Sequence, residues 1–115
     1  MNSILFVDDD PLMVRIISDK LKKRAIFTAG SLNECKEFFA AGHRPDLIIC
    51  DYFLKNGETA LDVAKLVKDL GLKNVRLICV SADTSLKEVE ASKGVFEAVI
   101  EKTTPKFFEF IDNLR

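Results

Sequence analysis

Side chains that can bind a cation or take part in phosphoryl transfer follow four short apolar runs of this 115-residue chain. The central run is Asp46-Leu47-Ile48-Ile49-Cys50-Asp51, which is too short for a helix and ends on an acid. An apolar run of this kind predicts a strand buried on both faces, as in a parallel sheet covered by helices. Ligand and reaction sites of such sheets lie at the carboxyl ends of the strands. The residues at these predicted ends are Asp8 and Asp9, Asp51, Ser81 and Lys102.

Each of these residues alone has an ordinary structural explanation, since acids cap helices, serines form turns and lysines lie in solvent. On one edge of a parallel sheet, however, they can converge. Carboxylates that lie close together repel and raise one another's pKa unless a cation joins them. Mg²⁺ suits such a site, because it prefers oxygen ligands and is usually held by one or two carboxylates plus a phosphate. Asp51 is then a candidate nucleophile for phosphoryl transfer, with Lys102 and the Ser81 hydroxyl as candidate donors to the phosphoryl oxygens.

The elements that must position these groups follow from the alternation of apolar patterns. Five strand candidates alternate with five helix candidates, joined by short loops. Helix starts are indicated by Asp10-Pro11 and Thr104-Pro105, and by capping boxes over residues 31–34 and 85–88. The pattern predicts one α/β domain over residues 1–115, a doubly wound five-stranded parallel sheet with right-handed crossovers and helices on both faces.

Composition narrows the function classes. A chain with 48% hydrophobic and 30% charged residues is typical of a globular domain. A net charge of −1 gives no case for direct nucleic-acid binding. No apolar run approaches the length of a membrane-spanning helix, and the first residues lack the basic region of a signal peptide. We therefore expect a cytoplasmic protein with no membrane partner, in which Cys35, Cys50 and Cys79 are small buried hydrophobes.

In this order and spacing, the motifs make the chain resemble the receiver domain of two-component response regulators along its whole length. The residues that carry the resemblance are Ile4-Leu5-Phe6-Val7-Asp8-Asp9-Asp10-Pro11, Asp46-Leu47-Ile48-Ile49-Cys50-Asp51, Val80-Ser81-Ala82 and Lys102. The resemblance implies a flavodoxin-like fold with strand order 2-1-3-4-5. It also implies that Asp51 is phosphorylated by a histidine kinase or a histidine phosphotransfer protein.

The same resemblance implies the roles of the other site residues. Mg²⁺ would be bound by Asp8 or Asp9, by Asp51 and by the backbone carbonyl of Phe53. Ser81 would be the hydroxyl that turns toward the phosphoryl group, and Lys102 would be the ion-pair partner of that group. The domain would signal rather than act as an enzyme, with at most slow self-dephosphorylation.

The partners that the resemblance implies are a downstream protein or an attached kinase or output domain, and a homodimer is a further expectation. The stretch from residue 51 to residue 60 looks most like receivers attached to hybrid sensor kinases. Phe108 lies off the apolar stripe of the last predicted helix. We interpret it as a half-exposed core residue or as a contact to a partner or a second copy.

Three positions depart from the usual receiver pattern. Thr103 stands where a proline with a cis bond usually follows the lysine; a cis bond before a non-proline residue costs about 2.5–4 kcal/mol, so we expect a trans bond and a shifted loop after Lys102. Val99 occupies the position of a switching aromatic residue, so an aromatic flip is excluded. Phe53 is bulkier than the usual residue, and we hypothesise that it shields the phosphoryl group from water.

Two alternatives stay open at this point. The first is a degenerate receiver that takes no phosphate and serves only as a protein-interaction module, which the substitutions at Thr103 and Val99 favour. The second is a small phosphohydrolase of the haloacid-dehalogenase type, because Asp8 and Asp10 have the one-residue gap of its catalytic acids. A short chain with no cap domain and no acidic pair after Lys102 argues against the hydrolase.

Overall fold

A computed structural model describes residues 3–114 of the chain as one parallel sheet flanked by helices. The sheet order is β2-β1-β3-β4-β5, so the predicted fold class and strand order are confirmed. The strands are β1 (Ser3–Val7), β2 (Ala25–Ala29), β3 (Leu47–Asp51), β4 (Arg76–Ser81) and β5 (Ala98–Glu101). The helices are α1 (Pro11–Lys20), α2 (Leu32–Ala40), α3 (Ala60–Asp69), α4 (Lys87–Ala91) and α5 (Pro105–Asn113).

Two apolar cores lie on the two faces of the sheet, because side chains alternate between the faces along each strand. Helices α2, α3 and α4 cover one face, and α1 and α5 cover the other. The central strands β1 and β3 contribute to both cores, as their unbroken apolar runs predict. None of the helices within residues 3–114 is long and apolar enough to cross a membrane. Fully buried members of the two cores include Leu5, Ile48 and Cys79 on the first face and Phe6, Ile17 and Phe107 on the second.

Side-chain caps fix the starts of three helices as predicted. Asp10 accepts a hydrogen bond from Leu12 N at 3.0 Å at the start of α1. Thr104 accepts one from Phe107 N at 3.3 Å at the start of α5. At α2, the Ser31 hydroxyl accepts from Glu34 N at 3.2 Å. The capping box at this helix is only half formed, because the Glu34 carboxylate accepts from Gly30 N rather than from the Ser31 amide.

The predicted capping box over residues 85–88 is wrong. Helix α4 begins at Lys87, and its N-cap residue is Leu86, which has no side-chain oxygen. The Ser85 hydroxyl instead donates to Asp83 Oδ1 at 2.6 Å within the β4–α4 loop. Aspartate and serine bond readily to nearby backbone and side-chain groups in turns, and here that local turn takes the serine away from the helix.

The β3–α3 loop holds the backbone directly after Asp51. Ala60 N donates to Tyr52 O at 2.8 Å, and Leu54 N donates to Glu58 O at 2.9 Å. An Asn56-Gly57 turn closes this loop, with φ angles of 61° and 75° in the left-handed region that these residue types tolerate. Thr59 N donates to the Asp62 carboxylate at 2.8 Å, completing a capping box with aspartate in place of glutamate that the sequence reasoning missed.

The ring of Phe108 lies inside the molecule's own helix pair. Lys20 of α1 places its Nζ 5.4 Å from the centre of this ring, and the ring packs edge-on against Phe107. The structure therefore supports the interpretation of Phe108 as a half-buried core residue. Val99 is also half-buried, and it packs against the core under α2, α3 and α4.

Candidate functional site

The polar residues predicted at the strand ends lie at one edge of the sheet. Asp51 is the last residue of β3 and Ser81 the last of β4, while Asp8 and Lys102 directly follow β1 and β5. Because these four strands are parallel and adjacent, their carboxyl ends meet. Lys102 Nζ lies 2.7 Å from Asp8 Oδ2 and 3.1 Å from Asp51 Oδ2, so this ammonium group joins two of the acids.

Asp9 adds a third carboxylate to the two that Lys102 contacts. Asp8, Asp9 and Asp51 each offer an oxygen, and the three oxygens all lie within 4.8 Å of one another. The Asp8 side chain is fully buried and the Asp51 side chain is 13% exposed, whereas Asp9 is exposed to solvent. Asp10 N donates to Asp8 Oδ1 at 2.9 Å, so the turn between β1 and α1 fixes the orientation of the Asp8 carboxylate.

The second Asp8 oxygen, Oδ2, is buried and accepts no hydrogen bond of suitable angle. Lys102 is close to it, and we therefore treat that contact as an ion pair rather than as an aligned hydrogen bond. A buried carboxylate oxygen usually has several partners, because an ionised carboxylate can accept about four hydrogen bonds. The Asp8 carboxylate thus keeps free acceptor capacity directed into the cluster.

The pKa values of the cluster reflect burial competing with charge. Burial raises the pKa of Asp51 to about 6, the charge of Lys102 opposes this shift and the charge of Asp8 adds to it. Burial acts to lower the pKa of Lys102, but its contacts with Asp8 and Asp51 outweigh burial and raise that pKa above its usual value. The lysine is therefore charged at neutral pH, and it partly compensates the repulsion between the carboxylates.

The donor set of this cluster fits a small divalent cation. Three carboxylates and one ammonium group leave two negative charges within a few ångströms. The ligand atoms are hard oxygens, and one of them, Asp8 Oδ2, is buried with free acceptor capacity. Oxygen ligands of this kind suit a small divalent cation such as Mg²⁺, which is usually held by one or two carboxylates together with water and phosphate. The residues that could hold the cation are Asp8, Asp9 and Asp51.

Phe53, whose carbonyl is the predicted metal ligand, lies in the β3–α3 loop two residues after Asp51. Phe53 directly follows Tyr52 in the β3–α3 loop, and the two hydrogen bonds that close this loop use the carbonyls of Tyr52 and Glu58. Neither of these bonds uses the Phe53 carbonyl. Its side chain is 41% exposed, and the ring packs edge-on against the buried Tyr52 with ring centres 4.9 Å apart.

The Ser81 hydroxyl is bound to its own loop rather than to the acidic cluster. Ser81 is 1% exposed; its Oγ donates to Asp83 O at 3.2 Å and accepts from Asp83 N at 3.4 Å. Both contacts are long for hydrogen bonds of a hydroxyl group, so they are weak. A rotation about the Ser81 Cα–Cβ bond would release the hydroxyl from both of these contacts.

The backbone after Lys102 confirms the expected trans bond, since the peptide bonds within residues 3–114 include none in the cis form. Thr103 has a φ of 59°, which is uncommon for a β-branched residue. The loop after the lysine leaves Lys102 at the site, because Lys102 N donates to Ser81 O at 2.8 Å and continues the pairing of β5 with β4. The strain is therefore confined to the residue after the lysine.

The acid pair of a haloacid-dehalogenase is not formed here. Asp10 caps α1 through Leu12 N and is not part of the acidic cluster, in which Asp9 takes the place beside Asp8. One site feature escaped the sequence reasoning, namely the close ion pair between Lys102 and Asp8. Nothing in the spacing signals it, because the two residues come from opposite ends of the chain and meet only through the sheet order.

Comparison with known proteins supports the same fold. No protein-family model and no curated protein matches the chain. Among solved structures, response regulator TrrA from Thermotoga maritima, in complex with Mg²⁺ and BeF, is 24% identical over 100% of both chains, with a TM-score of 0.77. The phosphorylated cyanobacterial phytochrome response regulator RcpA is 20% identical over 98% of this chain and 90% of its own, with a TM-score of 0.82.

A response regulator from Burkholderia pseudomallei, solved with a phosphorylated aspartic acid and a calcium ion, gives a similar result. It is 19% identical to this chain, with a TM-score of 0.79. The match covers 100% of this chain and 67% of the Burkholderia protein. The resemblance that the motifs predict is thus confirmed at the level of structure: the chain has the fold of a response-regulator receiver domain.

Proposed function

We propose that this chain is a phosphoacceptor domain of a two-component or phosphorelay system, in which Asp51 accepts a phosphoryl group from a phosphohistidine donor. The observation that carries the proposal is the arrangement around Asp51. Its carboxylate lies beside two other acids whose oxygens are within 4.8 Å of one another, and Lys102 Nζ is 3.1 Å from Asp51 Oδ2. A helix-capping acid or an isolated surface acid does not need a lysine that it shares with a fully buried carboxylate, as Asp51 shares Lys102 with Asp8.

In the proposed reaction, a carboxylate oxygen of Asp51 attacks the phosphorus atom of phosphohistidine. A new O–P bond forms while the P–N bond breaks, and the imidazole leaves with its electron pair and takes up a proton. Mg²⁺, held by Asp8, Asp9 and Asp51, would supply positive charge to the transferring phosphoryl oxygens. Lys102 is already within contact distance of Asp51 and would bind one of those oxygens as the charge develops.

The remaining roles belong to the same proposal. The Ser81 hydroxyl would leave its weak contacts with Asp83 and donate to a phosphoryl oxygen. The Phe53 carbonyl would complete the metal ligands. The partners would be a histidine kinase or a phosphotransfer protein and a downstream protein or attached domain. We place the reaction in a reducing cytoplasm, which agrees with three buried free cysteines.

Intact mass after incubation with acetyl phosphate and Mg²⁺ tests this function. We expect a gain of one phosphoryl group that requires Mg²⁺ and is lost in Asp51→Asn. Asp69→Asn is the matched control, because Asp69 is an exposed acid that pairs with Lys65 on α3, and it should behave as the wild type.

Two other outcomes would favour the alternatives. A folded protein that gains no phosphoryl group under these conditions would indicate a degenerate receiver that acts only through protein contacts. Steady release of inorganic phosphate that survives Asp51→Asn but not Asp8→Asn would indicate a hydrolase of the haloacid-dehalogenase type.

A further inference from the structure

The outer edge of the sheet at β2 is uncharged and exposed. The strand Ala25-Ile26-Phe27-Thr28-Ala29 contains no proline and no ionisable side chain, and both Phe27 and Thr28 are exposed. Natural edge strands usually carry charges, prolines or bulges that prevent pairing with another chain. The opposite edge strand, β5, ends on the exposed Glu101. The β2 edge is therefore the less protected of the two.

The hydrogen-bond direction along β2 follows from its pairing with β1. Asp8 N donates to Ala29 O, and the parallel register aligns Val7 with Ala29 and Leu5 with Phe27. In a parallel pair, alternate residues point their N–H and C=O groups toward the same neighbour. The groups of Ala25, Phe27 and Ala29 thus face β1, and those of Ile26 and Thr28 face outward.

Local bonds limit this open edge at both ends. Arg24 N donates to Leu21 O at 2.8 Å, and Gly30 N donates to the Glu34 carboxylate at 3.1 Å. The amides of Ile26 and Thr28 lie between these two occupied amides. The edge therefore presents two donors and two acceptors on alternate residues, with Phe27 in the centre.

An aromatic cluster lies beside this edge, on the face covered by α2. Phe27 is 37% exposed, and its ring lies 5.3 Å from the ring of Phe38 and 5.1 Å from that of His43. Phe38 and His43 stack with their planes 17° apart. A partner strand along β2 would cover the exposed edge of Phe27 and add to this cluster.

We propose that β2 pairs with β2 of a second copy of this chain, antiparallel and centred on Phe27. In that register, Ile26 of one copy lies opposite Thr28 of the other, and each of these pairs exchanges two backbone hydrogen bonds. Phe27 then faces its counterpart at a non-hydrogen-bonded position, where opposite Cα atoms are about 4.5 Å apart. Aromatic pairs at such positions stabilise antiparallel strands.

Charge complementarity supports the antiparallel direction. The basic segment Lys22-Lys23-Arg24 precedes β2, and the acid Glu34 follows it at the start of α2. Antiparallel pairing places the basic segment of one copy beside the Glu34 end of the other, whereas parallel pairing would align the two basic segments. A second copy supplies the charged flanks in these positions together with a second exposed Phe27 opposite the first.

Sedimentation velocity of the full chain, over roughly 1 µM to 1 mM, tests the proposal. We expect a reversible dimer, and Thr28→Pro should raise its dissociation constant by about tenfold or more, since each copy loses one outward donor. Proline fits this position because the Thr28 N–H does not face β1. Thr28→Val keeps the N–H and the side-chain shape, and should leave the dissociation constant within about threefold of wild type.

A cross-linking measurement keeps the proposal testable if Thr28→Pro fails to fold. Phe27→Cys should form a disulfide between two copies under mild oxidation by glutathione disulfide, because the proposed Cα separation suits a disulfide. Leu61→Cys is the matched control, since Leu61 has the same 37% exposure but lies on α3. The three native cysteines are buried and should not contribute.

Three results would overturn the proposal: a wild-type chain that stays monomeric over the whole concentration range, a dimer that Thr28→Pro leaves unchanged while the variant is folded, and equal cross-linking of Phe27→Cys and Leu61→Cys. The second result would place the dimer on another surface. None of these measurements depends on phosphorylation of Asp51.

Discussion

Asp51→Asn should make the metal-free protein more stable at neutral pH, although it removes a predicted site residue. The Asp51 carboxylate is nearly buried, with 13% of its side chain exposed, and it lies beside Asp8 and Asp9. Burial and the neighbouring negative charges disfavour its ionised form more than Lys102 favours it, which raises its pKa to about 6. Asparagine has nearly the same shape as the carboxyl group and no charge, so it avoids the cost of burying an ionised carboxylate at neutral pH.

The direction of the pH effect follows from proton binding. The folded protein binds the Asp51 proton more tightly than the unfolded chain does, because the folded pKa of about 6 lies above the ordinary 3.8. The free energy of unfolding of the wild type therefore falls as pH rises between about 4 and 6. At about 1.36 kcal/mol per pKa unit, the upper limit of this loss is about 3 kcal/mol, and solvent screening of the partly exposed group reduces it to about 1–2 kcal/mol.

Urea denaturation in EDTA at a series of pH values measures this effect. We expect Asp51→Asn to exceed the wild type by about 1–2 kcal/mol near pH 7.5 and to match it near pH 4. Asp69→Asn, at an exposed acid of α3, should stay within about 0.5 kcal/mol of wild type throughout. Added Mg²⁺ should stabilise the wild type by about 2.7 kcal/mol at 100 times its dissociation constant, and Asp51→Asn less.

One result would refute the reasoning directly. If Asp51→Asn is less stable than the wild type in EDTA at neutral pH, the ion pair between Lys102 and Asp51 outweighs burial and carboxylate repulsion. A difference that does not change with pH would mean that packing of the new side chain, rather than charge, is being measured.

Three further predictions concern the surroundings of Asp51. Lys102→Met should lower the free energy of unfolding in EDTA by about 3 kcal/mol, because it leaves the buried Asp8 without its cation; a loss below about 0.5 kcal/mol in urea denaturation would contradict this. Thr103→Gly should raise the free energy of unfolding by about 1 kcal/mol, since glycine adopts the φ of 59° without backbone strain. A lower melting temperature would show that the hydrogen bond from the Thr103 hydroxyl to Lys102 O contributes more than the strain costs. Phe53→Asn should shorten the lifetime of the phosphorylated protein in a phosphate-release assay if the ring shields the phosphoryl group from water. Equal lifetimes of the variant and the wild type would contradict this hypothesis.

The fold could be predicted because the sheet has central strands that are apolar on both faces. The apolar runs that lead to Asp8, Asp51 and Ser81 identify buried strands. In a parallel sheet, the polar residues at the carboxyl ends of these strands must lie at one edge. The β2 strand has a weaker sequence pattern than β1, since it lies at the edge of the sheet and two of its residues are exposed. The strand order came from the family resemblance, because hydrophobic pattern does not encode which strands are neighbours.

Side-chain details of the site depended on contacts that no short pattern contains. The start of α4 was mispredicted because Ser85 bonds to Asp83 in the preceding loop instead of capping the helix. The Ser81 hydroxyl is turned to its own loop, and its direction depends on the local β4–α4 backbone. Lys102 stays in the site although Thr103 follows it, because the lysine amide still pairs with Ser81 O. This backbone contact does not depend on residue type.

The charges of the cluster explain why both a lysine and a divalent cation would be needed. In the resting state, Lys102 is shared between Asp8 and Asp51, and the cluster as a whole keeps two negative charges. A phosphoryl group on Asp51 would add negative charge, and its oxygens would attract Lys102 away from Asp8. Asp8 would then lose a partner while its Oδ2 stays buried, which is a costly state for an ionised carboxylate. A divalent cation bound by Asp8 and Asp9 would remove this conflict, so we expect phosphorylation and metal binding to stabilise each other.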